Sequence, residues 1–263
     1  MDDYYLTLDR IFSSASDVYD KKILSNFINV NIREIELTNL IEFSKDKSRV
    51  LEIGCGTGQE ASRFILSTGK DVTCIDAAAG MVEFSTEKMK SLGISNKFNA
   101  LKLQAYRIGE LNMPFDLVYS LNGALNTEPK LDTFVHSLER LVPRGGIIVI
   151  SLRNRYCLGE LLLYSIMGRN SPVKSRMSRT TPVQVVGNTV ESFYYSPNEI
   201  YRFFSNFQLI RKVGLGIIAP PYLAEKFKFD FMRRIICGLE KFLSRVPLFS
   251  SLGDEVLYVF KKK

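Results

Sequence analysis

The residues with the clearest chemical purpose are three glycines and two carboxylates. Gly54, Gly56 and Gly58 stand at alternate positions directly after the apolar run Val50-Leu51-Glu52-Ile53. The helix-like segment Gln59-Glu60-Ala61-Ser62-Arg63-Phe64-Ile65-Leu66 follows them. Strand, glycine turn and helix in that order let a backbone come close to a nucleotide, because glycine omits the side chain that would stand in the way. Glu52 precedes the first of these glycines by two positions. Asp76 ends a second apolar run, Val72-Thr73-Cys74-Ile75, about twenty residues beyond the glycines, where a carboxylate can accept both hydroxyls of a ribose. Plainer uses exist for the same residues. The glycines could serve chain reversal alone, and Asp76 could cap a helix opening at Ala77-Ala78-Ala79.

The spacing separates this turn from the dinucleotide fingerprint, which has glycine at its first, third and sixth positions. Here the sixth position is Gln59, and the third glycine is Gly58. Glu-x-Gly-x-Gly-x-Gly resembles motif I of the Rossmann-like (class I) S-adenosylmethionine-dependent methyltransferases, and the order of later elements is similar to that family's small-molecule branch along nearly the whole chain. The resemblance implies S-adenosyl-L-methionine as cofactor and S-adenosyl-L-homocysteine as product. It implies that Gly54, Cys55, Gly56, Thr57 and Gly58 carry the amino-acid portion of the cofactor, with side chains removed at the three glycines to make room. Glu52 would favour the cationic part of the cofactor and hold the loop, Asp76 and Ala77 would take the ribose, and Met81 would pack against the adenine edge. The family usually places an Asp and a small residue after its third strand to read adenine. This chain has Gln104-Ala105-Tyr106 there, which leaves the Gln104 carbonyl to accept one hydrogen bond. Ser120, Leu121 and Asn122 match the loop that passes under the methyl group and sulfonium. Phe12, Tyr19-Asp20 and Arg33 resemble the N-terminal segment that closes over the cofactor, with Tyr19 and Arg33 against the methionine carboxylate. Core packing or a surface position would serve these residues equally well.

No general base stands out. His136 is the only histidine and lies in a helix expected on the outer face of the sheet, a structural position. Asp116 opens a strand. No Asn-Pro-Pro-Tyr follows the fourth strand, which argues against the amide-nitrogen methylators of DNA and protein, and no cysteine sits where a nucleobase-carbon methylator needs its nucleophile. Cys55, Cys74, Cys157 and Cys237 have neither metal-ligand nor redox spacing, so reduced thiols and no metal are expected. A sulfonium methyl is strongly electrophilic, so proximity and alignment can supply much of the rate. The expected reaction is methylation of a small molecule, first at oxygen, with carbon or nitrogen as other acceptors. Methylation of RNA, and cofactor binding without transfer, are the alternatives. The acceptor should sit above the strand ends, near Arg153, Asn154, Tyr156, Tyr194, Tyr195 and Tyr222, all of which could equally be lid packing or surface.

These residues need a scaffold to hold them, and the alternation of the chain supplies one. Strands are expected at 49–53, 71–75, 98–103, 115–120 and 146–152, helices near 58–68, 78–92 and 129–141, with breakers at Gly69, Gly93, Pro143 and Gly145-Gly146. The expected fold is α/β, a doubly wound, mostly parallel seven-stranded sheet with a helical N-terminal cover and an inserted cap. Residues 1–48 form the cover, interrupted at Ser13-Ser14-Ala15-Ser16-Asp17. Residues 49–263 form the main domain, with cap insertions at about 153–195 and 220–250. Within them, 182–195 reads as a hairpin with a Gly187-Asn188 turn, and Ser196-Pro197-Asn198-Glu199 as a helix start. Phe207 to Ile218 and 254–260 complete the sheet.

The net charge of +7 gathers after about residue 150, and it suits either a solvated basic surface or an anionic partner: an acidic substrate, RNA or a lipid headgroup. No RNA-binding signature accompanies it, so nucleic acid is a disfavoured partner. Helix 222–246 sets Leu223, Phe227, Phe231, Ile235, Leu239 and Phe242 against basic residues. That pattern fits an interfacial helix for a lipid-like acceptor, or simply a face packed on the protein. No apolar run is long enough to span a membrane and the N-terminus lacks a signal-peptide pattern, so a cytoplasmic location is expected.

Overall fold

Strands buried on both faces read as near-continuous apolar runs, and the central strands here do so. A computed structural model describes residues 2–166 and 176–263. Its nine strands are β1 (Val50–Ile53), β2 (Val72–Asp76), β3 (Phe98–Lys102), β4 (Leu117–Ser120), β5 (Ile147–Arg153), β6 (Thr180–Val185), β7 (Asn188–Phe193), β8 (Phe207–Leu215) and β9 (Glu255–Lys262). Seven of them form one sheet in the order β3-β2-β1-β4-β5-β9-β8, and β6 pairs with β7 alone. β9 is antiparallel to both of its neighbours, while the pairs from β3 through β5 are parallel. The sheet is therefore the mostly parallel, seven-stranded one expected. Strand order reverses between β1 and β4, so the crevice for a ligand lies beyond the ends of those strands.

Eight helices surround this sheet among the described residues: α1 (Asp2–Leu24), α2 (Phe27–Ser44), α3 (Gln59–Thr68), α4 (Ala79–Ser91), α5 (Leu131–Leu141), α6 (Leu158–Ile166), α7 (Pro197–Phe203) and α8 (Asp230–Leu243). One face of the sheet buries Tyr119, Val149 and Leu257 against Phe64 of α3 and Ile28, Ile32 and Leu40 of α2. The other buries Val118, Ile148 and Tyr258 against Phe134 and Leu138 of α5 and Phe204 beside α7. α2 thus shares the core of the sheet. His136 is exposed on the outer side of α5.

Three expectations need correcting. The serine-rich stretch at 13–17 does not interrupt the first helix, because the hydroxyls of Ser14 and Ser16 donate to carbonyls three residues back, Ile11 and Ser13. The break falls at Asn26 instead, whose side chain accepts from the amides of Ile28 and Asn29 and so starts α2. The hairpin turns at Val186-Gly187, one residue earlier than expected, and Asn188 pairs with Val185. Both turn residues have positive φ, 45° and 82°, the twist that a two-residue hairpin requires. Val186 accepts it because its side chain packs with Val185 against Ala78 and Met81. Finally, the basic segment 222–246 is a short 3-10 turn, Pro221–Lys226, followed by α8.

Candidate functional site

The glycine turn is fixed at its start by β2, since the amides of Gly54 and Cys55 both donate to the Ile75 carbonyl (2.8 and 3.2 Å). All three glycines have positive φ, 72°, 50° and 73°. They differ in what a side chain would meet. A Cβ on Gly54 would lie 2.6 Å from Cβ of Ala124, and one on Gly58 would lie 2.9 Å from Cε of Met89. A Cβ on Gly56 would have nothing within 4 Å. Only at Gly56 would a side chain meet open space, while Gly54 and Gly58 are packed against neighbouring protein.

Asp76 ends β2 and holds the turn from beneath. Its carboxylate accepts from Gly56 N (2.8 Å) and from Ala78 N (2.9 Å) at the start of α4. Burial raises its pKa despite these bonds. Glu52 lies on the other side of the turn, where Cys74 Sγ donates to it at 3.2 Å. Burial, and then the charge of Glu60, push it up to about 8. Cys55 and Cys74 are both buried, as small core residues would be.

α1 closes this region from above. Asp9 accepts from Ala79 N and Lys102 Nζ, and Ser13 Oγ accepts from Gly80 N. Asp20 accepts from Thr57 Oγ1 in the turn and from Lys88 Nζ, both at 2.5 Å. Tyr5 donates to Glu128 Oε1 at 2.5 Å. The cleft beneath α1 has a volume of about 180 Å³. Of the residues singled out from the sequence, Glu52, Gly54, Cys55, Gly56 and Thr57 line it from β1 and the turn. Asp76, Ala77 and Met81 line it from β2 and α4, Ala105, Leu121 and Asn122 from the loops after β3 and β4, and Tyr19 and Arg33 from α1 and α2.

Four residues expected there do not reach the walls. Gly58 is packed on α4. Ser120 Oγ donates to Ile53 O (3.0 Å) and ties β4 to β1. Gln104 is turned toward Arg107, whose Nη1 donates to it at 3.3 Å. The Tyr106 ring packs on Tyr5 and under Lys130 Nζ, 3.9 Å from its centroid. Leu103, immediately before Gln104, stands in the wall instead. Its apolar side chain at a strand end gave no sign of this in the sequence.

A second cavity of about 570 Å³ adjoins the first, and Tyr19, Arg33, Asn122 and Arg153 belong to both. Arg153, Tyr194 and Tyr222 line it. Asn154, Tyr156 and Tyr195 do not. The Asn154 amide donates to the carbonyls of Tyr156, Ser251 and Gly253, fixing the chain after β5. Tyr156 points to solvent, and Tyr195 is buried in the core beside Phe203.

The junction of the two cavities carries charges that spacing could not reveal. Arg33 is ion-paired with Glu60. Arg153 Nη1 donates to the Tyr194 hydroxyl at 3.3 Å. Glu36, from α2, accepts from Asn122 N (3.1 Å) and lies close to Glu255, which opens β9. Each of these two carboxyls keeps a buried oxygen without a hydrogen-bond partner. Burial and the Glu255 charge push Glu36 up to about 8. Burial also raises Glu255, to about 7, and Arg153 opposes that rise. Two glutamates so far apart in sequence gave no pattern that would pair them. Behind them, the only three converging metal-ligand types among the described residues, Cys157, Glu160 and Asp254, surround Arg176, which is ion-paired with both acids at 2.5 Å.

Comparisons with known proteins point one way. Residues 50–146 match the family model of a methyltransferase domain. A malonyl-[acyl-carrier protein] O-methyltransferase of Acetivibrio thermocellus is 27% identical over 158 residues, 59% of this chain and 52% of that protein. A ubiquinone/menaquinone biosynthesis C-methyltransferase of Haemophilus ducreyi is 24% identical over 145 residues, 54% of this chain and 55% of that one. The chain thus spans about half the length of the curated relatives it matches. The crystal structure of magnesium protoporphyrin IX methyltransferase from Synechocystis, with bound S-adenosylhomocysteine, superposes with a TM-score of 0.61 at 13% identity and covers 98% of this chain and 99% of that one. The fold is that of the class I methyltransferases.

Proposed function

We propose that this chain, with a methyltransferase domain at residues 50–146 on the class I methyltransferase fold, transfers a methyl group from S-adenosylmethionine to a small-molecule acceptor. The observation that carries the reading is the pair of adjoining cavities, a narrow one resting on Gly56 and Asp76 and a wider one beyond Arg33 and Arg153. The narrow cleft suits the cofactor. It opens at Gly56 where a Cβ would stand free, and it is lined with the carboxylates Glu52, Glu60 and Asp76. When bound, S-adenosylmethionine supplies an electrophilic methyl group on a sulfonium. Asp76 holds the ribose, Arg33 and Tyr19 hold the carboxylate end, and Glu52 and Glu60 favour the positive charge.

The wider cavity receives the acceptor. Lys22, Arg33 and Arg153 line it with Tyr164 and Tyr222, while Arg176 is paired with Glu160 and Asp254 in the same wall, so a molecule with an acidic or phenolic hydroxyl meets cations at the Lys22 and Arg153 side. Transfer to oxygen releases one proton. Glu255 stands in the wall, its unpartnered oxygen is buried just behind that surface, and burial raises its pKa to about 7, the range a general base needs. Among the described residues no helix is long and apolar enough to cross a membrane.

Thermal denaturation with S-adenosylmethionine, S-adenosylhomocysteine and NAD tests the cofactor. A ligand at a hundred times its dissociation constant adds about 2.7 kcal/mol, or roughly 5–10 °C in Tm for a chain of this size. The first two should stabilise the protein and NAD should not. Asp76→Ala should abolish most of that shift. No response to either sulfur ligand would sink the proposal. Transfer of a radiolabelled methyl group to a panel of phenols and carboxylic acids then tests the acceptor class.

A further inference from the structure

The apolar stripe of α8 faces water. At about 100° per residue, Phe231, Phe242, Ile235 and Leu239 fall within an arc of roughly 80° on the helix. They are 63%, 65%, 56% and 49% exposed. An ordinary surface helix turns such a stripe inward. Phe229, 64% exposed just before the helix, has its ring centroid 5.9 Å from that of Phe231 with the planes tilted by 30°, so the two aromatics pack on each other.

This exposure is not the looseness of an undocked helix. The opposite side of α8 is held firmly. Glu240 is buried, and its two carboxylate oxygens accept from Ile217 N (2.8 Å) and Ile218 N (3.1 Å). Arg233 donates to the Phe227 carbonyl and lies over the Phe27 ring of α2, while Phe227 packs edge-on against Phe27. A rigid helix therefore presents large apolar side chains outward.

The charges beside the stripe choose its partner. Arg234 and Lys241 fall together on one flank, within roughly 20° at the same angular spacing, and Arg245 follows in the turn after the helix. Lys226 and Lys228 precede the helix, and all five are exposed. Only Glu225 and Asp230 are exposed acids in this stretch. An apolar face with a basic border is complementary to an anionic bilayer, where the rings enter the acyl boundary and the cations meet headgroup phosphates. A second copy of the chain fits worse, because two such faces would bring basic borders together.

We propose that α8 and the segment before it dock the protein on the surface of an anionic membrane, with Phe229, Phe231, Ile235, Leu239 and Phe242 inserted at the interface. Docking of this kind is independent of the reaction assigned above. It places the protein where acceptors of low water solubility gather.

Flotation with vesicles tests it. The intact protein should float with phosphatidylcholine vesicles containing a quarter phosphatidylglycerol, and bind pure phosphatidylcholine at least tenfold more weakly. The double variant Phe231→Asp/Phe242→Asp should lose flotation while keeping its Tm, because both side chains are exposed. Arg234→Glu/Lys241→Glu should lose the preference for anionic vesicles. Failure of the intact protein to bind either vesicle would overturn the proposal. So would sedimentation of the intact protein as a dimer that the Phe231→Asp/Phe242→Asp variant reduces to a monomer, since the face would then be a self-interface.

Discussion

At the scale of single residues, the three glycines of the turn are not equivalent, and substitution should separate them. Alanine at Gly54 meets Ala124 at 2.6 Å on a backbone with φ of 72°, so it should destabilise the fold by about 2–4 kcal/mol, from overpacking plus left-handed strain. Alanine at Gly56 meets no atom and carries only the strain, about 1–2 kcal/mol, but its methyl enters the cleft. Urea denaturation should therefore single out Gly54→Ala, and calorimetric titration with S-adenosylhomocysteine should single out Gly56→Ala. Equal affinity in Gly56→Ala and the parent would remove the ligand from that position. Glu255 allows a second test. Glu255→Gln keeps the shape of the side chain and removes its basicity, so kcat should fall about a hundredfold or more with cofactor affinity nearly unchanged. The rise of kcat with pH near 7 should vanish with it. An unaltered pH profile would assign the proton to another group.

At the scale of elements, α1 is a lid held on α4 by Asp9 and Ser13 and packed through Tyr5, Leu8 and Ile11 on the hairpin. It crosses α4 where Gly80 faces Ser13, and a Cβ at Gly80 would lie 2.7 Å from Cβ of Ser13. Gly80→Val should wedge the two helices apart. The expected result is faster deuterium exchange in residues 2–24, with protection kept in β1, β4 and β5, and a cofactor dissociation constant raised about tenfold. Unchanged exchange in α1 would show that the lid does not depend on this crossing. The sequence shows why such an element is hard to place. β1, β2, β4 and β5 are legible because buried parallel strands read as mainly apolar runs, and β1 and β2 are closed by Gly54 and Asp76. Ser13 to Ser16 look like a break because serine competes for backbone bonds, yet here Ser13 serves a neighbouring helix. The hairpin turn was misplaced by one residue because the packing of Val186 against Met81, not local propensity, selects the positive φ. The site divides in the same way. Glu52, Gly56 and Asp76 sit at fixed offsets along one strand–turn–helix–strand unit. Glu36 and Glu255 meet only after the sheet has brought the end of the chain back beside α2.

At the scale of the whole molecule, burying carboxyl groups makes stability depend on pH in a direction opposite to acid denaturation. Glu36 and Glu52 are raised to about 8 and Glu255 to about 7, all above the ordinary 4.5. The folded protein therefore holds these protons more tightly than the unfolded chain. Their contribution is fully present below about pH 4.5 and is lost as pH rises through 7 to 8, by up to about 1.4 kcal/mol per pH unit for one fully protonated group. Carboxylates held low by their partners, such as Asp9, Glu42 and Glu199, act only when pH falls below that range. Urea denaturation of the free protein should thus show stability falling from pH 5 to pH 8, and Glu52→Gln should flatten the slope. A rising curve would place the charged forms in better surroundings than burial allows. A cationic cofactor reverses the balance, because a positive charge beside Glu52 favours the carboxylate. Binding of S-adenosylmethionine at pH 7 should release protons, seen as a binding enthalpy that changes with the ionisation enthalpy of the buffer, and its affinity should rise toward pH 8. S-adenosylhomocysteine lacks the sulfonium and should release fewer protons. Equal release by the two ligands would show that the positive charge is not read by Glu52.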